Sequence, residues 1–168
     1  MNPLQLENPL EEITALIGDA GSVSYCDGKS VAGALDLVRA AAAVIVIAGL
    51  PALDESESFD RPHMGLPREQ LTLIDAILDE KPDAIIVLQN GSPVELPFAL
   101  RARAILETYL GGEAGASALA RVLFGASSPG GRLAELARVW KHGSEELDTF
   151  LGGINAASMT RDELREAV

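Results

Sequence analysis

A chain of 168 residues with 25 Asp and Glu against 13 Lys and Arg has a formal net charge of −12. That charge excludes the clustered Lys and Arg through which nucleic acid and anionic lipid are bound, so neither is an expected partner. Its 48% hydrophobic and 23% charged residues are the balance of a globular chain able to bury one core, and the single cysteine, Cys26, excludes an intrachain disulfide.

The stretch Met1 to Pro9 lacks the basic and apolar regions of a signal peptide. The longest apolar run, Ala40 to Leu50, falls short of the roughly 20 residues that a membrane span needs, so the expected location is cytoplasmic.

In chain order, Asn8 and Pro9 supply a cap and a first turn for a helix over Leu10–Ile17, and Gly18 to Gly21 turn the chain. Val23–Cys26 reads as a short strand, in which Cys26 is expected to be a small buried apolar residue. Ser30 caps a helix over Val31–Ala41. Val44–Gly49 is apolar on both faces, as a strand covered by helices on each side should be. Residues 68–80 follow with Leu71, Ile74, Ile77 and Leu78 on one side of a helix. Ala84–Asn90 repeats the doubly apolar pattern, Ala104–Leu110 is a third such run, and Gly111-Gly112 leads into a helix over Ala114–Phe124.

Alternating strands and helices with short connections specify an α/β fold, an open, mainly parallel sheet between two helical layers. In such sheets ligands gather outside the carboxyl ends of the strands, which directs attention to the loops after Gly49, Asn90 and Leu110. Beyond Arg132 the pattern changes to a helical tail, with helices over 133–150 and 160–168 separated by Gly152-Gly153 and a capping box at Thr160 and Glu163. Val168 ends the last helix after barely three turns, which reads as a truncation.

The connection from Gly49 to Arg68 is about 18 residues long, against roughly 2–6 in ordinary α/β units. It places four carboxylates, Asp54, Glu55, Glu57 and Asp60, within seven residues and follows them with Arg61 and His63. A solvated acidic loop is the plain alternative to a functional one. The spacing supplies neither the alternating oxygen ligands of a calcium loop nor the His and Cys of a zinc site, so no metal is expected, and no cofactor. General acid catalysis fits, because crowded carboxylates raise the pKa of one of their number while a neighbouring Arg holds another ionised. Asn90-Gly91-Ser92 lacks the glycine spacing and the Lys of a phosphate loop and reads as a turn.

Four runs occur in order: Gly49-Leu-Pro…Asp54-Glu-Ser-Glu-Ser-Phe-Asp-Arg61…Leu66-Pro67; Leu88-Gln-Asn-Gly-Ser-Pro-Val-Glu-Leu-Pro97; Ala104-Ile-Leu-Glu-Thr-Tyr-Leu-Gly-Gly112; and Leu123-Phe-Gly125 to Pro129-Gly-Gly-Arg-Leu-Ala-Glu135. Together they resemble the C-terminal α/β-sandwich domain of family-three glycoside hydrolases, the β-glucosidase group. The resemblance implies a sandwich over residues 1–135 that lacks its first strand, and a helical tail over 136–168. It implies a β-linked glycoside as substrate and a retaining mechanism whose nucleophile belongs to a barrel domain, here absent or supplied by a second chain.

It further implies that the 50–66 loop carries the acid/base at Glu55 or Glu57, with Glu55, the first glutamate of the stretch, favoured. Asp54, Phe59, Asp60 and Arg61 are then expected to shape the loop and meet the sugar. A sheet edge left open by the missing strand invites self-association into a homo-oligomer. The alternative is a carbohydrate- or partner-binding module that keeps the fold without turnover.

Overall fold

The computed structural model describes residues 6–56, 61–131, 133 and 159–160. Helix α1 (Pro9–Ile17) opens the described chain, with the Asn8 side chain accepting a hydrogen bond from the Leu10 amide and Pro9 in the first turn. A single 3-10 turn, Gly18–Ala20, follows. Helix α2 (Val31–Ala40) is capped by Ser30, whose hydroxyl accepts from the Gly33 amide. Strand β1 (Ile45–Gly49), helix α3 (Arg68–Glu80), strand β2 (Ile85–Gln89), strand β3 (Ala104–Glu107) and helix α4 (Gly115–Leu123) complete the alternation. The three doubly apolar runs are adjacent parallel strands, with Ile47 opposite Val87 and Val87 opposite Leu106.

Because side chains alternate across a strand, each strand feeds two cores. Val46, Ile86 and Ile105 face Val38 of α2 and Ile74 and Ile77 of α3, while Val87 and Leu106 on the other face meet Leu119 of α4, against which α1 packs. Ile74, Ile86 and Val87 are fully buried, and each contributes about 1.5–3 kcal/mol of hydrophobic stabilisation. Lys81, which follows α3, ties that end of the helix to the end of α2, donating through Nζ to the Ala41 and Ala42 carbonyls just beyond α2 at 2.6 and 3.0 Å.

Two expectations are corrected. Val23–Cys26 forms no strand, and Cys26 is exposed, not buried. A strand needs a neighbour's ladder, and no described strand is hydrogen-bonded in a ladder to this segment; β1 likewise has β2 on one side and, among the described residues, no strand paired on the other. The third run also stops early. Thr108 still donates to the Leu88 carbonyl, but Tyr109 takes a φ of 51° and turns the chain out of the sheet.

The helices expected over 133–150 and 160–168 lie outside the described residues, except that Met159–Thr160, β4, pair antiparallel with β3. Among the described residues no helix is long and apolar enough to cross a membrane.

The carboxyl ends of β1 and β2 approach so closely that a Cβ on Gly49 would lie 1.9 Å from the Gln89 carbonyl oxygen. Gly49→Ala is therefore expected to cost about 1–3 kcal/mol or more through overpacking against backbone. Gly131→Ala, where a Cβ meets nothing within 4 Å, should leave the urea midpoint nearly unchanged. Equal midpoints for the two variants would contradict this.

Candidate active site

Gln70, in the first turn of α3, reaches back to the end of β1. Its Oε1 accepts from the Gly49 amide at 3.0 Å and its Nε2 donates to the Gly49 carbonyl at 2.9 Å. A side-chain amide matches a peptide group donor for acceptor, so Gln70 extends the sheet's hydrogen bonding by one unit and fixes where the long loop departs. The loop is fixed again at its far end, where Glu95 donates through its amide to the Met64 carbonyl at 2.9 Å and Gly65 bridges to Glu95.

Between these ends, the loop and the residues leaving β2 border a shallow, open cleft of about 590 Å³, lined by residues 54–56, 61–64 and Ser92. It lies at the carboxyl end of the sheet, where the fold predicts ligands to gather. Glu55, half-buried, lays Oε1 against the bend that follows Asn90, accepting from the Gly91 amide at 2.5 Å and the Ser92 amide at 3.2 Å, with the Ser92 hydroxyl at 3.5 Å. Gly91 leaves the room for this, since a Cβ there would meet Leu110 Cδ1 at 3.0 Å and Glu55 Oε1 at 3.3 Å. Arg61, also half-buried, donates through Nη2 to the Pro93 carbonyl at 2.8 Å, and its Nη1 is buried with no hydrogen-bond partner among the described residues. Asp54 lines the cleft beside Glu55.

The structure thus brings Asp54, Glu55 and Arg61 to one cleft. Glu57, Phe59 and Asp60 lie outside the described residues. Among the described residues no group of three or more His, Cys, Asp and Glu is placed to hold a metal ion.

Behind the bend stand Asn90, which the sequence marks only as part of a turn, and Glu107, to which it assigns no role in the site. Asn90 is 2% exposed; its Nδ2 donates to the Ser92 carbonyl at 3.0 Å and more weakly to Glu107 Oε2 at 3.4 Å, while Oδ1 has no partner among the described residues. Glu107 ends β3 and accepts from the Tyr109 amide through Oε1 at 2.9 Å. Burial raises its pKa above the ordinary carboxyl value, Glu55 adds a smaller push in the same direction, and the bonds from Tyr109, Asn90 and Thr108 oppose both. The available signal was a carboxylate closing a doubly apolar strand, Ala104-Ile-Leu-Glu107, which the topology must carry to the ligand end of the sheet.

A carboxyl whose folded pKa is raised binds protons in the folded state that the unfolded chain has already released. Stability therefore falls as pH rises from the ordinary glutamate range through the raised folded value. Glu107→Gln is expected to flatten that part of the curve, so urea midpoints from pH 4 to pH 8 should decline less in the variant than in the parent. Parallel curves would show that Glu107 pays no such cost.

A cleft walled by a carboxylate-rich loop at the ligand end of a doubly wound sheet can be set against known proteins. The sequence profile described as the Glycosyl hydrolase family 3 C-terminal domain matches residues 1–147. Thermostable beta-glucosidase B of Acetivibrio thermocellus is 39% identical over 145 residues, covering 80% of this chain and 19% of that protein. Among solved structures, the GH3 beta-glucosidase of Bifidobacterium adolescentis superposes with a TM-score of 0.72 at 35% identity, over 79% of this chain and 21% of that one. The beta-glucosidase of Kluyveromyces marxianus in complex with glucose gives 0.60 at 33%, over 67% and 13%. The chain therefore spans about a fifth or less of the length of these relatives, and within that span the match in both sequence and fold is continuous enough to place it: this chain belongs to the glycosyl hydrolase family 3 C-terminal domain family.

Proposed function

We propose that this domain supplies the acid/base side of a retaining β-glucosidase-type active site, acting on a β-linked glycoside, and that the nucleophile comes from a barrel domain outside these 168 residues. The observation that carries the reading is the cleft. A carboxylate-bearing loop, fixed at both ends, stands open at the carboxyl end of the sheet in a domain whose relatives at 33–39% identity are beta-glucosidases.

Retention needs one carboxyl to protonate the departing oxygen and later deprotonate water, and a second, about 5 Å away, to attack the anomeric carbon. Glu55 and Glu57 are the loop glutamates available for the first task. Asp54 and Arg61 line the same wall, and Phe59 and Asp60 belong to the same loop, where they would meet the sugar or the facing domain. Nothing in the chain is assigned the second task. Proximity of both carboxyls accounts for much of such an enzyme's rate, so the domain by itself is expected to be nearly inert.

The test is hydrolysis of aryl β-glucosides by the chain alone and by the chain joined to a family-three barrel domain. Activity is expected only in the second case. There, replacing the acid/base glutamate by Gln should slow a poor leaving group by about 100-fold or more and an activated one far less in the first step, since only the poor one needs its oxygen protonated. Robust turnover by the chain alone, or indifference to both Glu55→Gln and Glu57→Gln, would overturn the reading.

A further inference from the structure

We infer that Glu55 and Arg61 are positioning residues, an anionic and a cationic side chain that pin two points of the long loop to the single segment Gly91–Pro93. The inference rests on the functional reading above and deepens it by separating the loop glutamate that holds from the one that transfers a proton.

The geometry points to this in three ways. First, Glu55 Oε1 faces two backbone amides and a hydroxyl of the bend, all within 3.5 Å, so the lone pairs of that oxygen are directed at protein donors and not held for a proton in transit. Second, those amides belong to residues that have left β2 and have no ladder partner, so the Glu55 carboxylate supplies the acceptor that the strand no longer does. Third, Arg61 completes the arrangement from the other side. Its planar guanidinium donates to the Pro93 carbonyl, one residue beyond the amides that Glu55 satisfies. The loop thus accepts hydrogen bonds at one point and donates one at another, all with the same short segment.

That segment is itself braced. Asn90 Nδ2 holds the Ser92 carbonyl, which turns the Gly91 and Ser92 amides toward Glu55, and the Glu95 amide holds the Met64 carbonyl where the loop returns. The wall of the cleft is in this way tied to the carboxyl end of β2, the most buried strand of the sheet.

The decisive measurement is NMR on the 168-residue chain labelled with nitrogen-15. The Gly91 and Ser92 amide proton shifts should both move in Glu55→Gln and move further in Glu55→Ala, as a charge-assisted hydrogen bond is first weakened and then lost. In Glu55→Ala, exchange of the Gly91 and Ser92 amides should rise roughly tenfold or more while core amides such as that of Val87 keep their protection, since the loss of a charge-assisted hydrogen bond is local. Arg61→Lys should restore only part of the Ser92 protection lost in Arg61→Ala, because an ammonium supplies the charge without the planar donor.

Gly91 and Ser92 amides whose shifts and exchange are the same in Glu55→Ala as in the parent would overturn the inference. In the barrel-joined protein, Glu55→Gln should lower kcat/KM by a similar factor for activated and poor leaving groups, the signature of misplacement. A kcat/KM loss confined to poor leaving groups, with azide raising kcat for activated ones by attacking the glycosyl-enzyme in place of water, would instead make Glu55 the acid/base and refute a positioning role. Should the joined protein show no hydrolysis at all, the functional reading fails while the NMR outcome still decides whether Glu55 pins the loop.

Discussion

A peptide group that emerges from the end of a strand must still satisfy its hydrogen bond, and at Gly91 and Ser92 that requirement shapes everything around it. The two amides leave β2 beyond the last rung of the ladder, and β3 turns away at Tyr109 before it can serve them. Water would be the default acceptor. Here a carboxylate from a residue 36 positions earlier takes the place, which converts a local need of the backbone into a long-range tie between two loops. The tie is possible only because β1 and β2 lie in parallel register, so that both chains arrive at the same end of the sheet.

The same logic repeats at the other strand. Gly49 has its amide and carbonyl met by the Gln70 side chain, and Gln89 offers its carbonyl to the Leu50 amide. A connection of this length would ordinarily be costly to order, since each residue fixed loses backbone freedom worth about 1–2 kcal/mol. It is instead divided by ties at Gly49, Glu55, Arg61 and Gly65 into short arcs. Beneath them the sheet provides a rigid base, with Ile86, Val87 and Leu88 essentially inaccessible to solvent. A soft, charged loop and a hard, apolar strand are thereby joined through a few main-chain groups.

Most of the fold was legible in the chain because it is written locally. Doubly apolar runs gave β1, β2 and the start of β3, helical spacing gave α3, and Asn8 and Ser30 cap the helices that they were expected to cap. What was not legible depends on partners distant in sequence. Val23–Cys26 has the composition of a strand, but a strand is defined by its neighbour. Ala104–Leu110 is apolar nearly throughout, yet the left-handed conformation at Tyr109 ends it, and a tyrosine gives no notice of that as a glycine would.

The candidate site divides the same way. The density of charge marked the loop, whereas the roles of Gln70, Asn90 and Glu107 come from contacts that span 17 to 21 residues or from burial created only when β2 and β3 align. The helices expected in the tail fall outside the described residues and so bear on neither point.

The receptor that holds Glu55 is made of main-chain amides, and this bears on how such a site can drift in sequence. An amide is present whatever the side chain, so Ser92 could be exchanged for many residues at the loss of only its 3.5 Å hydroxyl contact. Gly91 has less freedom, because the first carbon of a side chain would lie 3.0 Å from Leu110 and 3.3 Å from the carboxylate itself, and one of the two would have to give by a few tenths of an ångström. The imprint of the interaction on a lineage would then be asymmetric: a glycine and an acid whose changes are linked, set among neighbours freer to vary.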